Sequence, residues 1–191
     1  LNVRRFCTSV LLVFVFLVLI SDAQTVPPAA TVPASTSAPT SGDVMRERIS
    51  KAKAYIAVRN YNAAIYELEN IRRETADPAV QGVVNVLLMN SYLGLSDFKR
   101  AQDFLNEAYA VQKTTKPNAY ELYSSVASEV VKAARDRVVR YRALGLSVSD
   151  RTLPLEATND LEKMRESLEL VITQAKEIAK DTKRTADAMM L

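Results

Sequence analysis

Two stretches of this chain carry the same pattern of apolar residues, displaced by 37 positions. The first copy consists of Tyr55, Tyr61, Ala64, Leu68 and Ile71, and the second of Tyr92, Phe98, Ala101, Leu105 and Ala108. In each copy an aromatic residue near a turn precedes a helix that offers a small alanine, so large and small side chains meet where two backbones approach. Each copy therefore predicts an antiparallel pair of helices packed through these residues.

The chain after residue 43 is predicted to be helical throughout. Its apolar residues recur every three or four positions, as in helices with one buried face, and no segment alternates with a period of two. Turn signals such as Asp77-Pro78 and Gly145 divide this region. The predicted helices are 44–59, 62–75, 78–94, 97–113, 118–144 and 154–189. The predicted fold class is all-α.

The spacing within the two copies is typical of a known family. They read Ala52-x-x-Tyr55-x5-Tyr61-x-x-Ala64-x3-Leu68-x-x-Ile71 and Met89-x-x-Tyr92-x5-Phe98-x-x-Ala101-x3-Leu105-x-x-Ala108. Over about 70 residues this resembles the tetratricopeptide repeat (TPR). Arg59 and Ser96 stand where the family has a glycine between its helices. The alternative is a generic array of helical hairpins.

The resemblance implies a concave groove, lined by the first helix of each repeat, that binds a peptide or a helix of another protein. The residues expected to face this groove are Arg46, Ile49, Lys53, Val86, Asn90 and Leu93. The implied function is that of a scaffold or adaptor for protein-protein interaction. With only two repeats the groove is expected to be shallow.

The repeat stops after two copies, because Val138 and Arg142 occupy positions where a third copy needs alanine and leucine. The repeats span about 45–78 and 82–115, and residues 118–189 predict a long helical hairpin that caps them. Its two coiled-coil-like seams are Tyr120, Tyr123, Ala127, Val130, Ala134, Arg137, Tyr141 and Leu144, then Leu161, Met164, Leu168, Val171, Ala175, Ile178, Thr182, Thr185 and Met189. The alternative use of the last seam is homo-oligomerisation, which would make the protein structural.

The N-terminus predicts export. Arg4 and Arg5 precede an apolar run from Val10 to Ile20, which is typical of a secretory signal peptide of residues 1–23 that is cleaved near Ala23. Residues 24–43 are rich in Pro, Ser, Thr and Ala and predict a disordered tether before the helical domain of residues 44–191. The exported chain, periplasmic or secreted, is expected to continue past Leu191.

The composition disfavours catalysis. The chain has no histidine, and its one cysteine, Cys7, lies in the predicted signal peptide, so we expect no catalytic, cofactor or metal site. Carboxylates available for glycoside cleavage are Glu67, Glu69, Glu107 and Glu121, but more plausibly they lie on solvated helix faces. Screening for peptidoglycan or glycan cleavage would test this.

One basic stretch stands out, although the overall charge is small. Removing residues 1–23 takes away two of the 25 basic and one of the 22 acidic residues, and the net charge of +2 gives no reason to expect nucleic acid. The stretch contains Lys132, Arg135, Arg137, Arg140 and Arg142. These residues complement the negative end of a helix, or form a weak patch for acidic lipids or an acidic partner. Arg137, on an apolar seam, is expected to pair internally or to extend its head group to water.

Overall fold

The computed structural model describes residues 40–113, 119–150 and 152–189, with side chains through Asp181. These residues form six helices and no strand, and they belong to one compact unit. The helices are α1 (Ser41–Ala57), α2 (Tyr61–Glu74), α3 (Pro78–Gly94), α4 (Phe98–Gln112), α5 (Ala119–Ala143) and α6 (Leu155–Met189). The prediction of an all-α array of antiparallel hairpins, capped by a long C-terminal hairpin, is confirmed.

Helix α1 begins three residues earlier than predicted, and the reason is a capping box. Thr40 Oγ1 accepts from the Asp43 backbone N–H at 3.2 Å, while the Asp43 carboxylate accepts from the Thr40 N–H at 3.0 Å. Hydrogen bonds from Thr40 hold the pKa of Asp43 at about 2. The predicted tether therefore loses residues 41–43 to α1. The signal peptide and the remainder of the tether lie outside the described residues.

The two turns inside the repeats have the same geometry at the same offset. Arg59 and Ser96 adopt left-handed φ angles of 59° and 58°. The next residue's N–H reaches back to Tyr55 O in the first turn at 2.8 Å and to Tyr92 O in the second at 2.9 Å, which is the Schellman pattern. Asn60 and Asp97 then cap α2 and α4. The repeat thus extends from side chains to backbone conformation.

The residues predicted to pack the repeats form the core. Ala64 and Leu68 are fully buried, and Ala101 and Leu105 retain at most 3% exposure. Ile71, Tyr92, Phe98 and Ala108 are also buried, and Tyr55 and Tyr61 are half-buried. Eight of these ten residues therefore lie in the core, and Tyr55 packs against it.

The last hairpin continues the array instead of standing beside it. Helix α5 packs against both α3 and α4, and α6 packs against α4 and α5. Ser167 and Gln174 of α6 meet Gln102 and Asn106 of α4 in ascending order, so these helices are parallel. Helices α5 and α6 therefore occupy the place of a third hairpin, although the sequence repeat stops.

The two predicted seams are only partly correct. Tyr123, Ala127, Val130, Met164 and Ile178 are buried as expected, but Tyr120 and Leu144 are 57% and 67% exposed, and Ala175 is exposed as well. The buried line of α6 includes instead Ala157, Ser167 and Gln174. Helix α6 packs against both α4 and α5. Its buried face is therefore turned away from the line of residues that packing against α5 alone would bury. The side chains of Thr182, Thr185 and Met189 lie outside the described residues.

Candidate functional site

The main concave surface is a groove of about 1480 Å³ at the end of the array where α2 joins α3. The C-terminal turns of α2 and α4 and the N-terminal turns of α3 and α5 form its walls, and Lys53 of α1 closes one side. Its apolar lining includes Val83, Val86, Leu87, Val111, Ala119 and Leu122. Val83 remains 43% exposed, so the groove offers apolar surface to solvent.

Asn85 lies in the wall of this groove and is only 5% exposed. Among the described residues, no group donates a hydrogen bond to its buried Oδ1. A buried amide oxygen without a donor typically costs about 1–3 kcal/mol. Gln174 Oε1 on α6 is a second such atom, and it lies away from the groove.

The charged residues around the groove are of both signs. Arg72 forms an ion pair with Glu107, and its guanidinium lies 5.0 Å from the centre of the Phe104 ring, so it is held in place. Lys53 on α1 and Glu121 on α5 take part in no ion pair within the described parts of the chain. The groove therefore offers the cation of Lys53 and the carboxylate of Glu121 from different helices, beside a fixed pair. Arg73 and Asp77 also line it, with Arg73 bonded to Asn70 and Asp77 capping α3.

Two of the six residues predicted to face the groove line it, namely Lys53 and Val86. Arg46 is exposed on α1 and pairs with Asp43 of the same helix. Ile49 is partly buried and packs against the core. Neither of these two α1 residues lines the groove.

The prediction for Leu93 is wrong, and Asn90 is already occupied. Leu93 is 2% exposed, and its carbonyl accepts from Arg137 Nη2 at 3.1 Å. Asn90 Nδ2 lies 3.4 Å from a carboxylate oxygen of Glu129 on α5. Helix α5 covers the C-terminal half of α3, so only the N-terminal half remains open to a ligand.

The basic stretch on α5 separates into one buried residue and several exposed ones. Arg137 is 5% exposed, its Nε donates to Asp160 at 2.8 Å, and its guanidinium lies 5.0 Å from the centre of the Phe98 ring. Its predicted internal pairing is therefore confirmed. The other four are exposed, and Lys132 pairs with Glu129.

Asp160 is the centre of the polar cluster at the start of α6. Besides Arg137 it accepts from the Tyr141 hydroxyl at 2.8 Å and from Ser96 Oγ at 3.2 Å. Burial raises the pKa of Asp160, but these hydrogen bonds outweigh burial and hold the pKa below its ordinary value of 3.8. The cluster ties the second turn to both helices of the last hairpin.

The four carboxylates considered for catalysis are dispersed. Glu67 pairs with Arg48 at 2.6 Å, and Glu69 accepts from the Tyr92 hydroxyl at 3.0 Å. Burial and the Glu69 carboxylate raise the pKa of Tyr92 to about 12. Glu107 pairs with Arg72, and Glu121 lies in the groove. In the described residues, no three His, Cys, Asp or Glu side chains are grouped to hold a metal ion.

Sequence reasoning missed Asn85 and the polar contacts of α6. A signal for Asn85 was present, because it is the one polar residue in the run from Val83 to Met89. For α6 the signal was the seven-residue spacing of Asp160, Ser167 and Gln174. A seam defined mainly by apolar side chains does not include these residues.

Comparison with known proteins adds no relative. No protein-family model, no curated protein and no solved structure matches this chain. Among the described helices, none combines the length and the apolar character required to cross a membrane. The groove and the surface of the array are therefore the features that bear on function.

Proposed function

We propose that this protein is an exported, TPR-like scaffold that binds another protein or peptide in the groove at the α2–α3 end. The observation that carries the proposal is the groove itself, whose apolar lining includes Val83 at 43% exposure. Apolar side chains of a bound segment would cover this lining. The repeated Schellman turns support the TPR-like assignment.

Selection from a displayed peptide library tests the groove without a known partner. Peptides selected on the chain that begins at Gln24 should lose binding to Val83→Arg by more than about tenfold, because the charge lies where apolar side chains would be buried. Tyr66→Arg is the matched control, since Tyr66 is 69% exposed on α2 and does not line the groove. Equal losses for both variants, or none, would refute the groove as the binding site.

The alternative function, homo-oligomerisation through the seam of α6, makes a different prediction. Met164, Val171 and Ile178 already pack against the core of their own chain. An oligomer built on them would first have to displace these contacts. Light scattering on residues 24–191 and on a chain ending at 150 would distinguish the two, since loss of a dimer in the shorter form would favour the alternative.

Export is a separate part of the proposal. It is supported by the basic residues and the apolar run before Ala23. Expression of residues 1–191 in a secreting host, followed by N-terminal sequencing, should give Gln24 as the first residue. An exported chain that still begins with residues 1–23 would contradict the proposed cleavage.

A further inference from the structure

The three connections within hairpins lie along one side of the array, and their described residues, which we call the turn edge, are 58–60, 95–97, 144–150 and 152–154. The first two connections meet because the ring of Tyr61 lies against Gly94, where an added Cβ would come within 2.5 Å of the ring. The second and third approach each other at a concave surface lined by Ser96 and Pro154, and Ser96 also bonds to Arg137 of α5 and to Asp160 of α6. The turn edge is therefore one continuous surface.

Large apolar side chains project from this edge. Val58 is 73% exposed, Leu144 67% and Leu155 69%, and Val148 adds a fourth at 38%. Among the described residues, Leu144 and Leu155 are the exposed leucines. They lie at the two ends of the same connection, between α5 and α6. These side chains lie at the tips of hairpins, where a flat partner reaches them first.

The charges of the edge differ in how they are paired. Asp97 pairs with Arg100, and Asp160 points inward to Arg137. Asp150 accepts hydrogen bonds from Thr152 but, like the exposed Glu156, forms no ion pair within the described residues. Three exposed arginines also form no ion pair within the described residues: Arg59, Arg140 and Arg142. The unpaired cations therefore exceed the unpaired carboxylates by one, and the arginines remain available to an external anion.

Arg59 provides an independent observation. Its φ of 59° is a conformation in which any side chain with a Cβ is strained and glycine is not. No described contact of its guanidinium offsets that strain. An arginine at a strained, exposed turn, without a contact to its own fold, is consistent with contact to another molecule.

We infer that the turn edge docks on an anionic lipid surface. Val58, Leu144 and Leu155 would enter the boundary between head groups and acyl chains, and the three arginines would bind lipid phosphates. Apolar tips flanked by cations match the layered polarity of a lipid surface.

Docking in this way would set the direction of the groove. The groove lies where α2 joins α3 and α4 precedes α5, which is the opposite end of the hairpins from the turn edge. A docked array would therefore hold its groove away from the lipid. The inference does not depend on what the groove binds, because the two surfaces share no residue.

Vesicle sedimentation tests the docking. The chain that begins at Gln24 keeps the whole compact unit but lacks the apolar N-terminal run, which would bind lipid by itself. It should sediment with phosphatidylcholine vesicles that contain phosphatidylglycerol, and not with pure phosphatidylcholine. Added salt should weaken the binding, while inorganic phosphate at equal ionic strength should not compete further.

Matched variants locate the surface. Leu144→Glu with Leu155→Glu should lower the partition coefficient by at least about tenfold. Tyr66→Glu with Ile172→Glu should change it by less than about twofold, apart from the effect of the added negative charge.

Arg140→Glu with Arg142→Glu should lower the partition coefficient by at least about 30-fold, since each cation near the surface contributes about fivefold. Lys176→Glu with Lys180→Glu carries the same change in charge at α6, away from the edge.

A fluorescent reporter separates lipid from protein as the partner. The chain has no tryptophan, so Leu144→Trp places a single reporter on the edge. Its emission should shift to the blue on anionic vesicles and be quenched by brominated acyl chains. No sedimentation of the parent chain, equal losses for edge and control variants, or a shift with polyglutamate but not with vesicles would overturn the inference.

Discussion

The first four helices and α6 differ in the balance of their contacts. Between α2 and α3 the core consists of side chains such as Leu68, Ile71 and Leu88, all fully buried. Helix α6 adds Met164 and Ile178 to the core, and it also bonds to α4 through Ser167–Gln102 at 3.1 Å and Gln174–Asn106 at 2.8 Å. Apolar burial contributes to stability without fixed direction, whereas hydrogen bonds contribute little net energy but specify geometry. Apolar burial thus dominates in the array, while polar contacts set the register of α6.

The largest effect is expected in the array. Leu105→Ala should lower the free energy of unfolding by about 2–5 kcal/mol, because it leaves a cavity at a position that is 1% exposed. The matched variant Leu168→Ala on α6, where the leucine is only partly buried, should cost less. Urea unfolding measures both. Equal costs would remove the distinction between array and α6.

The Asp160 cluster should be the strongest contact of α6. Asp160→Ala leaves the buried Arg137 without its carboxylate and should cost about 2–3 kcal/mol. Hydrogen exchange should become faster in α6 and at the facing end of α5, and remain unchanged in α1 and α2, since no residue of the cluster lies in those two helices. Faster exchange in α1 and α2 to the same extent would show that α6 and the array unfold together.

Overpacking tests the close approach inside the second repeat. Ala101→Leu should destabilise the protein by about 1–3 kcal/mol, because Ala101 is 3% exposed between neighbouring helices. Ala175→Leu on the exposed side of α6 is the control and should be nearly neutral. Two silent variants would mean that the repeat residues do not pack as described.

The two left-handed turns should respond in opposite directions to glycine. Arg59→Gly relieves strain at an exposed residue and should stabilise the protein by about 0.5–1 kcal/mol. Ser96→Gly relieves the same strain but removes the hydroxyl that bonds to Arg137 and Asp160, so it should be neutral or destabilising. Thermal unfolding of both variants measures the difference. Equal stabilisation would show that the cluster does not depend on Ser96.

The smallest effect is expected from acid at a pH below 3.8. Because the pKa of Asp160 is lowered by folding, its contribution is complete above the ordinary value of 3.8 and is lost as the pH falls through the folded pKa. Hydrogen exchange in α6 should therefore rise in that range relative to α1–α3. Asp160→Asn should abolish the difference in pH response between the two regions.

The sequence predicted the helices and the repeat core because both follow from local periodicity. Leu68 and Leu105 recur at one spacing, and a helix with one apolar face leaves few alternatives. The start of α1 was missed by three residues since Thr40 and Asp43 form a capping box that lies just outside the apolar pattern. Local rules therefore accounted for the elements and most of their ends.

The surface of the array was less predictable because it depends on how hairpins pack on each other. Leu93 was assigned to the groove, but α5 covers that half of α3. Tyr120 was assigned to a seam, but its side chain is exposed. Helix α5 contacts both α3 and α4 through other residues, and this orientation leaves Tyr120 at the surface. The sequence repeat ends before α5, so no local pattern places this helix.

Asp160, Ser167 and Gln174 follow each other at intervals of seven residues on α6. A shift of α6 along α4 by one interval, about 10 Å, would again place polar side chains opposite polar ones. Such a slipped packing would bring Ser167 to Arg137, and a hydroxyl cannot neutralise a buried guanidinium. The Arg137–Asp160 ion pair therefore selects one of several otherwise similar alignments of α6 along α4.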